Sequence, residues 1–253
     1  MSINYNLYAK YYDLFYKDKD YKAETNYIHN IIQKNKPGSK TLLEFGSGTG
    51  KHGKFFVNLG YKVTGVERSS EMVDIANSHN NNNNFNSIVG NISDVKLNQN
   101  FAAVVSLFHV IGYQTKNSQL LKVFNNAFQH LEVGGLFIFD VWFSPAVFSQ
   151  KLDVRIKRVK SQDLKIVRIA EPIVNYEKNG VDVHYQIFIT DLSTGKVDEI
   201  KEVHPVRHFS LPEISILASN TGFELLSSEE FLTGNSPSNN TWGVCFVLKK
   251  VIV

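Results

Sequence analysis

The sequence holds one cysteine, Cys245, so it can close no internal disulfide, and its fold rests on packing and hydrogen bonds. No apolar run reaches the roughly 18 residues a bilayer-spanning helix needs. Residues 1–10 carry no apolar leader, and with the lone cysteine this sets the expected compartment as cytoplasmic. Neither sign of charge dominates. With 27 basic and 24 acidic residues the net charge is +3, so charge alone favours neither nucleic acid nor an anionic membrane as partner. No His/Asp/Cys group has metal-ligand spacing, and His79 beside the asparagine run has no recognisable partner, so no metal is expected. What is present is a 43% hydrophobic content over 253 residues, enough for one α/β domain with an insertion.

The chain is organised around residues 41–50. A short apolar run, Thr41 to Phe45, reads as a buried strand, and Gly46, Gly48 and Gly50 follow at alternate positions before a helix over 51–58. Glycines at a strand-to-helix turn let the chain bend sharply and let a ligand lie on bare peptide, while the helix start offers unpaired N–H groups. The spacing separates two ligand types. A dinucleotide fold wants a third glycine where Lys51 stands, and here the pattern is G-x-G-x-G. Glu44 precedes the loop. The next apolar run, 62–67, ends in Glu67, where a carboxylate can grip the vicinal hydroxyls of a ribose. A glycine-rich turn without a ligand is the plain alternative, and the two acids with the strand order weigh against it.

On these residues the chain resembles the class I S-adenosylmethionine (SAM)-dependent methyltransferases, with Glu44-Phe-Gly-Ser-Gly-Thr-Gly50 as first motif and Glu67 as second-strand acid. The resemblance implies an α/β fold: a Rossmann-like, seven-stranded, mostly parallel sheet with helices on both faces. It implies SAM as cofactor and S-adenosylhomocysteine as product. It places Tyr12, Glu44, Gly46, Ser47, Gly48, Gly50, Glu67, Arg68, Met72, Asn91, Ile92 and Leu107 at the cofactor. Asn91, after the third strand, is expected to meet the adenine amino group through its carbonyl oxygen, and it would equally suit a simple turn.

Other segments fit around this frame. Tyr5, Tyr8, Tyr11, Tyr12 and Tyr16 crowd the start of the chain. Tyrosine can cover a pocket and still hydrogen-bond, so the segment reads as a packed arm or a lid. Tyr8-Ala-Lys-Tyr-Tyr12-Asp13 is similar to a pattern that closes over SAM and substrate in small-molecule methyltransferases, which implies a catalytic place for Tyr8. Residues 18–34, 70–79 and 117–131 have helical spacing. Residues 80–84, all asparagine, read as a surface loop. The apolar run 101–108 reads as a strand buried on both faces. His109 and Tyr113 follow at its carboxyl end, the expected place for chemistry, although a lone histidine there could be structural. Residues 136–142 form a fifth strand after the Gly134-Gly135 turn. No helix is expected next. The text from 155 to 209 is β-like, with a turn at Thr194-Gly195. It reads as three or four antiparallel strands acting as a substrate lid, followed by a late helix over 211–220. The division is 1–145 with 210–253 as SAM-binding domain, and 146–209 as β-rich substrate-binding insert.

The insert is similar to that of the N-methyltransferases that dimethylate amino groups of nucleotide-linked deoxysugars. Trp142-Phe-Ser-Pro145, Arg168, His184 and His204 carry this likeness and are the expected substrate-binding residues. Two positions depart from the pattern. Tyr113 stands where that family shows a histidine proposed as base, and Asn240 stands where it shows an arginine. A neutral tyrosine is a poorer base. Losing a fixed cation weakens the case for a pyrophosphate. The expected function is SAM-dependent methyl transfer to a small polar acceptor, foremost an amino sugar, by a monomer or homodimer. An O-methyltransferase and a non-catalytic SAM-binding protein are the alternatives.

Overall fold

The computed structural model describes residues 11–80 and 83–251. The first half alternates strand and helix: α1 (Tyr21–Asn35), β1 (Thr41–Phe45), α2 (Lys51–Asn58), β2 (Lys62–Glu67), α3 (Ser70–His79), β3 (Phe85–Val89), β4 (Phe101–Ser106), a 3-10 turn (Val110–Tyr113), α4 (Asn117–His130) and β5 (Leu131–Trp142). The second half holds α5 (Ser144–Ser149), β6 (Arg155–Lys160), β7 (Leu164–Asn175), β8 (Gly180–Asp191), β9 (Val197–Arg207), α6 (Leu211–Asn220), β10 (Phe223–Glu230) and β11 (Gly243–Lys250).

Seven strands make one sheet in the order β10-β11-β5-β4-β1-β2-β3, and only β11 runs against its neighbours. The continuous apolar text of the central strands follows from helices on both faces, because successive side chains point opposite ways. Leu43, Val104, Phe137 and Phe139 join α4 and α6 in one core, with Phe124, Phe223 and Phe246. Leu42, Ala103, Val105, Leu136 and Ile138 join α1, α2 and α3 in the other, with Ile28, Ile32 and Phe56. Chain direction in the sheet reverses its order of filling between β1 and β4, so a crevice opens at their carboxyl ends.

The second sheet is antiparallel in the order β6-β7-β8-β9. The β-like text from 155 onward turns at 161–163 from β6 into β7, and β7 runs on through residues 172–175. Pro172 is tolerated there because β6 pairs with β7 only as far as Ala170. A short helix, α5, does follow β5; Pro145 pre-sets its first turn, and the Ser144 N–H donates to Phe209 O at 2.8 Å. Finally, β5 starts at Leu131, five residues earlier than its apolar text, with Gly134 at φ +72° inside it.

Candidate active site

The glycine loop is shaped by its backbone. Gly46, Gly48 and Gly50 all have positive φ (+72°, +52° and +73°), a region that side chains disfavour. At Gly46 a methyl group would also stand 2.6 Å from Val110 Cγ1. The Gly46 N–H is tied to Val66 O at 2.8 Å. The Gly48 N–H is tied to Glu67 Oε2 at 3.1 Å. Glu67 Oε1 accepts from the Arg68 and Ser69 N–H groups at 2.7 and 3.0 Å. The backbone therefore aims this carboxylate and occupies Oε1 fully, while Oε2 keeps room for one more donor.

Loop and carboxylate open into a cavity of about 460 Å³. Of the residues expected at the site, Tyr12, Gly46, Ser47, Gly48, Glu67, Arg68, Met72, Ile92, Leu107, His109, Tyr113, Trp142 and His204 line it. Tyr8 lies outside the described residues, and Glu44, Gly50, Asn91, Arg168 and His184 are not among the residues that line the cavity. Gly50 caps α2, packed against Ala76 and Phe85. Asn91 Oδ1 accepts from the Ser93 N–H at 3.1 Å, the turn reading of that residue. Arg168 stands one layer behind, its guanidinium over Phe15, Tyr16 and Tyr185, with Nη1 donating to Tyr16 Oη at 3.1 Å. His184 follows the other face of β8 from Val183 and Tyr185, which line the cavity, so register turns it away.

Glu44 is buried behind the loop at 1% exposure. Burial, helped by the Glu67 charge, pushes its carboxyl up to about 8. His52 Nδ1 is 3.7 Å from Glu44 Oε1, and its Nε2 is 2.7 Å from Glu24 Oε2. Burial holds His52 below the usual histidine range, so its contact with Glu44 is between neutral groups.

At the end of β4, Phe108 and His109 both take positive φ, +65° and +62°. Two such non-glycine residues in a row are strained and need support. Asp140 of the neighbouring β5 supplies it: Oδ1 accepts from the His109 N–H at 3.3 Å, and Oδ2 lies 2.7 Å from His109 Nδ1. Burial pushes Asp140 up, His109 pulls it down, and the net effect holds the carboxyl below its ordinary value. Sequence reasoning missed Asp140, although a lone acid inside the apolar run 136–142 was the available signal. It missed His204's partners too. His204 Nε2 is 2.9 Å from Glu202 Oε2, and Nδ1 is 3.2 Å from Tyr113 Oη.

The start of the chain joins the two halves. Asp13 Oδ1 accepts from Thr49 Oγ1 at 2.7 Å, and Oδ2 lies 3.0 Å from Lys51 Nζ. Phe15, 1% exposed, enters the insert's own core with Val159, Ile166, Ile187 and Ile189. Burying one such ring contributes about 1.5–3 kcal/mol. Trp242, Arg155, Tyr185 and Val206, none of them foreseen, join Trp142 in the wall.

Residues 42–135 match a family model described as a methyltransferase domain. The chain carries a methyltransferase domain. The methyltransferase is 27% identical over 229 residues to a dTDP-3-amino-3,4,6-trideoxy-alpha-D-glucopyranose N,N-dimethyltransferase of Streptomyces venezuelae, covering 90% of this chain and 92% of the relative. It superposes on a SAM-dependent methyltransferase from Clostridium acetobutylicum ATCC 824 with TM-score 0.82 and 20% identity, over 98% of this chain and 99% of that one. SAM-bound CalS10, an amino pentose methyltransferase from Micromonospora echinaspora, gives TM-score 0.77 and 20% identity, over 97% of each chain. The methyltransferase thus has the fold of the class I SAM-dependent enzymes. Among the described residues no helix is long and apolar enough to cross a membrane.

Proposed function

We propose that this methyltransferase moves a methyl group from SAM to the amino group of a nucleotide-linked amino sugar. The observation that carries the reading is one shared cavity. The glycine loop and Glu67 form one side of it, the Asp140-supported His109 sits at the end of β4, and the antiparallel insert closes the other side.

The residues present suit SAM. Gly46, Ser47 and Gly48 offer bare backbone, Glu67 Oε2 keeps an acceptor site for a ribose hydroxyl, and Met72 and Ile92 are apolar walls for adenine. When bound, SAM supplies a methyl group on a sulfonium, which an amine lone pair can displace without a metal. The chain's own task is to align and dry the acceptor and to receive a proton. Asp140 fixes the His109 ring so that Nε2, the other ring nitrogen, can accept a hydrogen bond from the acceptor N–H and point its lone pair. Trp142 and Trp242, with ring centroids 5.3 Å apart, give a sugar a flat apolar wall. Arg155 lies 6.0 Å from the Trp242 ring and puts a cation at the cavity rim, which supports a phosphate-bearing acceptor despite Asn240.

The test is calorimetric titration with SAM, then turnover on dTDP-3-amino-3,4,6-trideoxy-alpha-D-glucopyranose, the amine acceptor in the relative's name, against its 3-hydroxy counterpart. Binding of SAM and release of S-adenosylhomocysteine with the amine alone is the expected result. No SAM binding, or turnover only with the hydroxy sugar, overturns it.

A further inference from the structure

Resting on the amine-transfer reading above, we propose that Lys19 is a positioning residue for His109: its ammonium seats on the Phe108 ring and holds the strained Phe108–His109 turn that aims the histidine into the shared cavity.

Lys19 is itself fixed along the backbone. Its N–H donates to Tyr16 O at 3.1 Å, and its carbonyl accepts from the Tyr21 N–H at 3.0 Å. The next residue, Asp20, caps α1, its carboxylate accepting from the Ala23 N–H at 2.8 Å. The Lys19 side chain is ion-paired with Glu24 in the first turn of α1 and is only 12% exposed. A cation this well covered is weakly screened by water, so its neighbours feel it.

That charge meets the turn after β4. Lys19 Nζ lies 4.5 Å from the centre of the Phe108 ring and 5.0 Å from that of Tyr21. An aromatic face attracts a cation, and more strongly where water is excluded. The Tyr16 ring adds an edge contact to Phe108, with centroids 4.9 Å apart. Phe108 lines the cavity and Lys19 is not among its lining residues, so the cation acts from behind the ring. Phe108 and His109 follow one another at positive φ, and such a pair persists only where its surroundings fix it. Asp140 holds the His109 end, and Lys19 holds the Phe108 end. The two supports also feel each other. Burial pushes the Asp140 carboxyl up, while His109 and, less strongly, Lys19 draw it down.

An ionised Asp140 can only accept, so at 2.7 Å it favours the His109 proton on Nδ1 and leaves Nε2 bare. Nε2 is the nitrogen that meets the acceptor N–H. One peptide joins Phe108 to His109, so a Phe108 that relaxes from its strained conformation turns the histidine with it, and Nε2 loses its aim. Lys19 stands where the start of the chain enters α1, so one side chain ties the seating of that segment to the alignment of the acceptor. The hydrogen bonds that set Glu67 and the glycine loop do not involve Lys19, so its loss should read on kcat more than on SAM binding.

The experiment pairs single-turnover rates on the amino sugar named above, at saturating SAM, with nitrogen NMR of the His109 ring in the resting protein. The wild-type ring should be protonated on Nδ1. Lys19→Met should slow turnover about 10-fold, keep the KM for SAM within about twofold, and shift the His109 signals toward a mixture of both tautomers. Lys19→Arg keeps the cation and should restore both readings. Phe108→Leu keeps the Lys19–Glu24 pair and removes the ring. It should reproduce the slower rate and the shifted signals, and it decides the matter if Lys19→Met does not fold. Arg168→Met disturbs the start of the chain at another point and should leave the His109 signals in place. Unchanged rates or unchanged ring signals in Lys19→Met or Phe108→Leu overturn the proposal. An equal shift in Arg168→Met overturns it too, because loosening the start of the chain would then suffice. Absence of wild-type turnover on the amino sugar would count against the acceptor assignment, and the ring signals would still decide the role of Lys19.

Discussion

Asp140 of β5 and His109, three residues past the end of the neighbouring parallel strand β4, have Oδ2 2.7 Å from Nδ1, and the same carboxylate accepts the histidine's backbone N–H. One side chain thus sets both the strained backbone and the ring of the residue beside the glycine loop. Asp140→Asn should keep SAM affinity and lower turnover by about 10²-fold through misalignment. It should also change acid stability. The folded carboxyl sits below its ordinary value, so its contribution is present above about pH 4 and is lost as pH falls through the lowered value. Thermal melts below about pH 4 should therefore be flatter for the variant than for the parent.

Glu44 has the opposite sign. Its folded carboxyl is pushed up to about 8 by burial and by Glu67. Such a group contributes stability below the ordinary carboxylate range and loses it as pH rises toward 8. Glu44→Gln, neutral at every pH, should raise the Tm at alkaline pH and leave it little changed near pH 5. A melting difference that does not grow with pH would contradict the assignment.

Glu67→Gln replaces an acceptor that holds three backbone N–H groups with an amide that is half donor. The expected loss in SAM affinity is about 1–3 kcal/mol, roughly 5–150-fold, read by calorimetry. Gly46→Ala should be harsher, because the added methyl meets both Val110 γ-carbons within 2.7 Å and φ is +72°. Adding Val110→Ala should recover only the steric part of that loss, since the left-handed backbone still costs about 1 kcal/mol.

Arg168, over the Tyr185 ring of its own sheet, holds the start of the chain through the Phe15 and Tyr16 rings and the Tyr16 hydroxyl. Arg168→Met keeps much of the apolar contact and removes the cation. Cation–π contacts are worth about 0.5–2 kcal/mol. Amide exchange over residues 11–16 should speed up, and the KM for SAM should rise more than kcat falls. Unaltered exchange in that segment would show that the Arg168 cation does not anchor it.

Local grammar was readable before the fold was known. Three glycines at alternate positions and a following helix state a bend and a ligand-bearing backbone, because positive φ is a property of single residues. The near-continuous apolar strands over 41–45 and 101–106 implied burial on both faces, because side chains alternate about a strand. The β character of 155–209 and the acid ending β2 were legible for the same reason.

Partnership and facing were decided only by the assembled chain. Asp140 meets a residue 31 positions away, Tyr113 meets one 91 away, and Tyr16 meets one 152 away. No local pattern encodes those pairings. His184 and His204 read alike as insert histidines, yet strand register sent one out of the cavity and the other into it. Asn91 stays out of the cavity lining, its Oδ1 accepting from the Ser93 N–H two residues on. Spacing along the chain fixes what each backbone segment can do, while the order of strands determines which side chains act together.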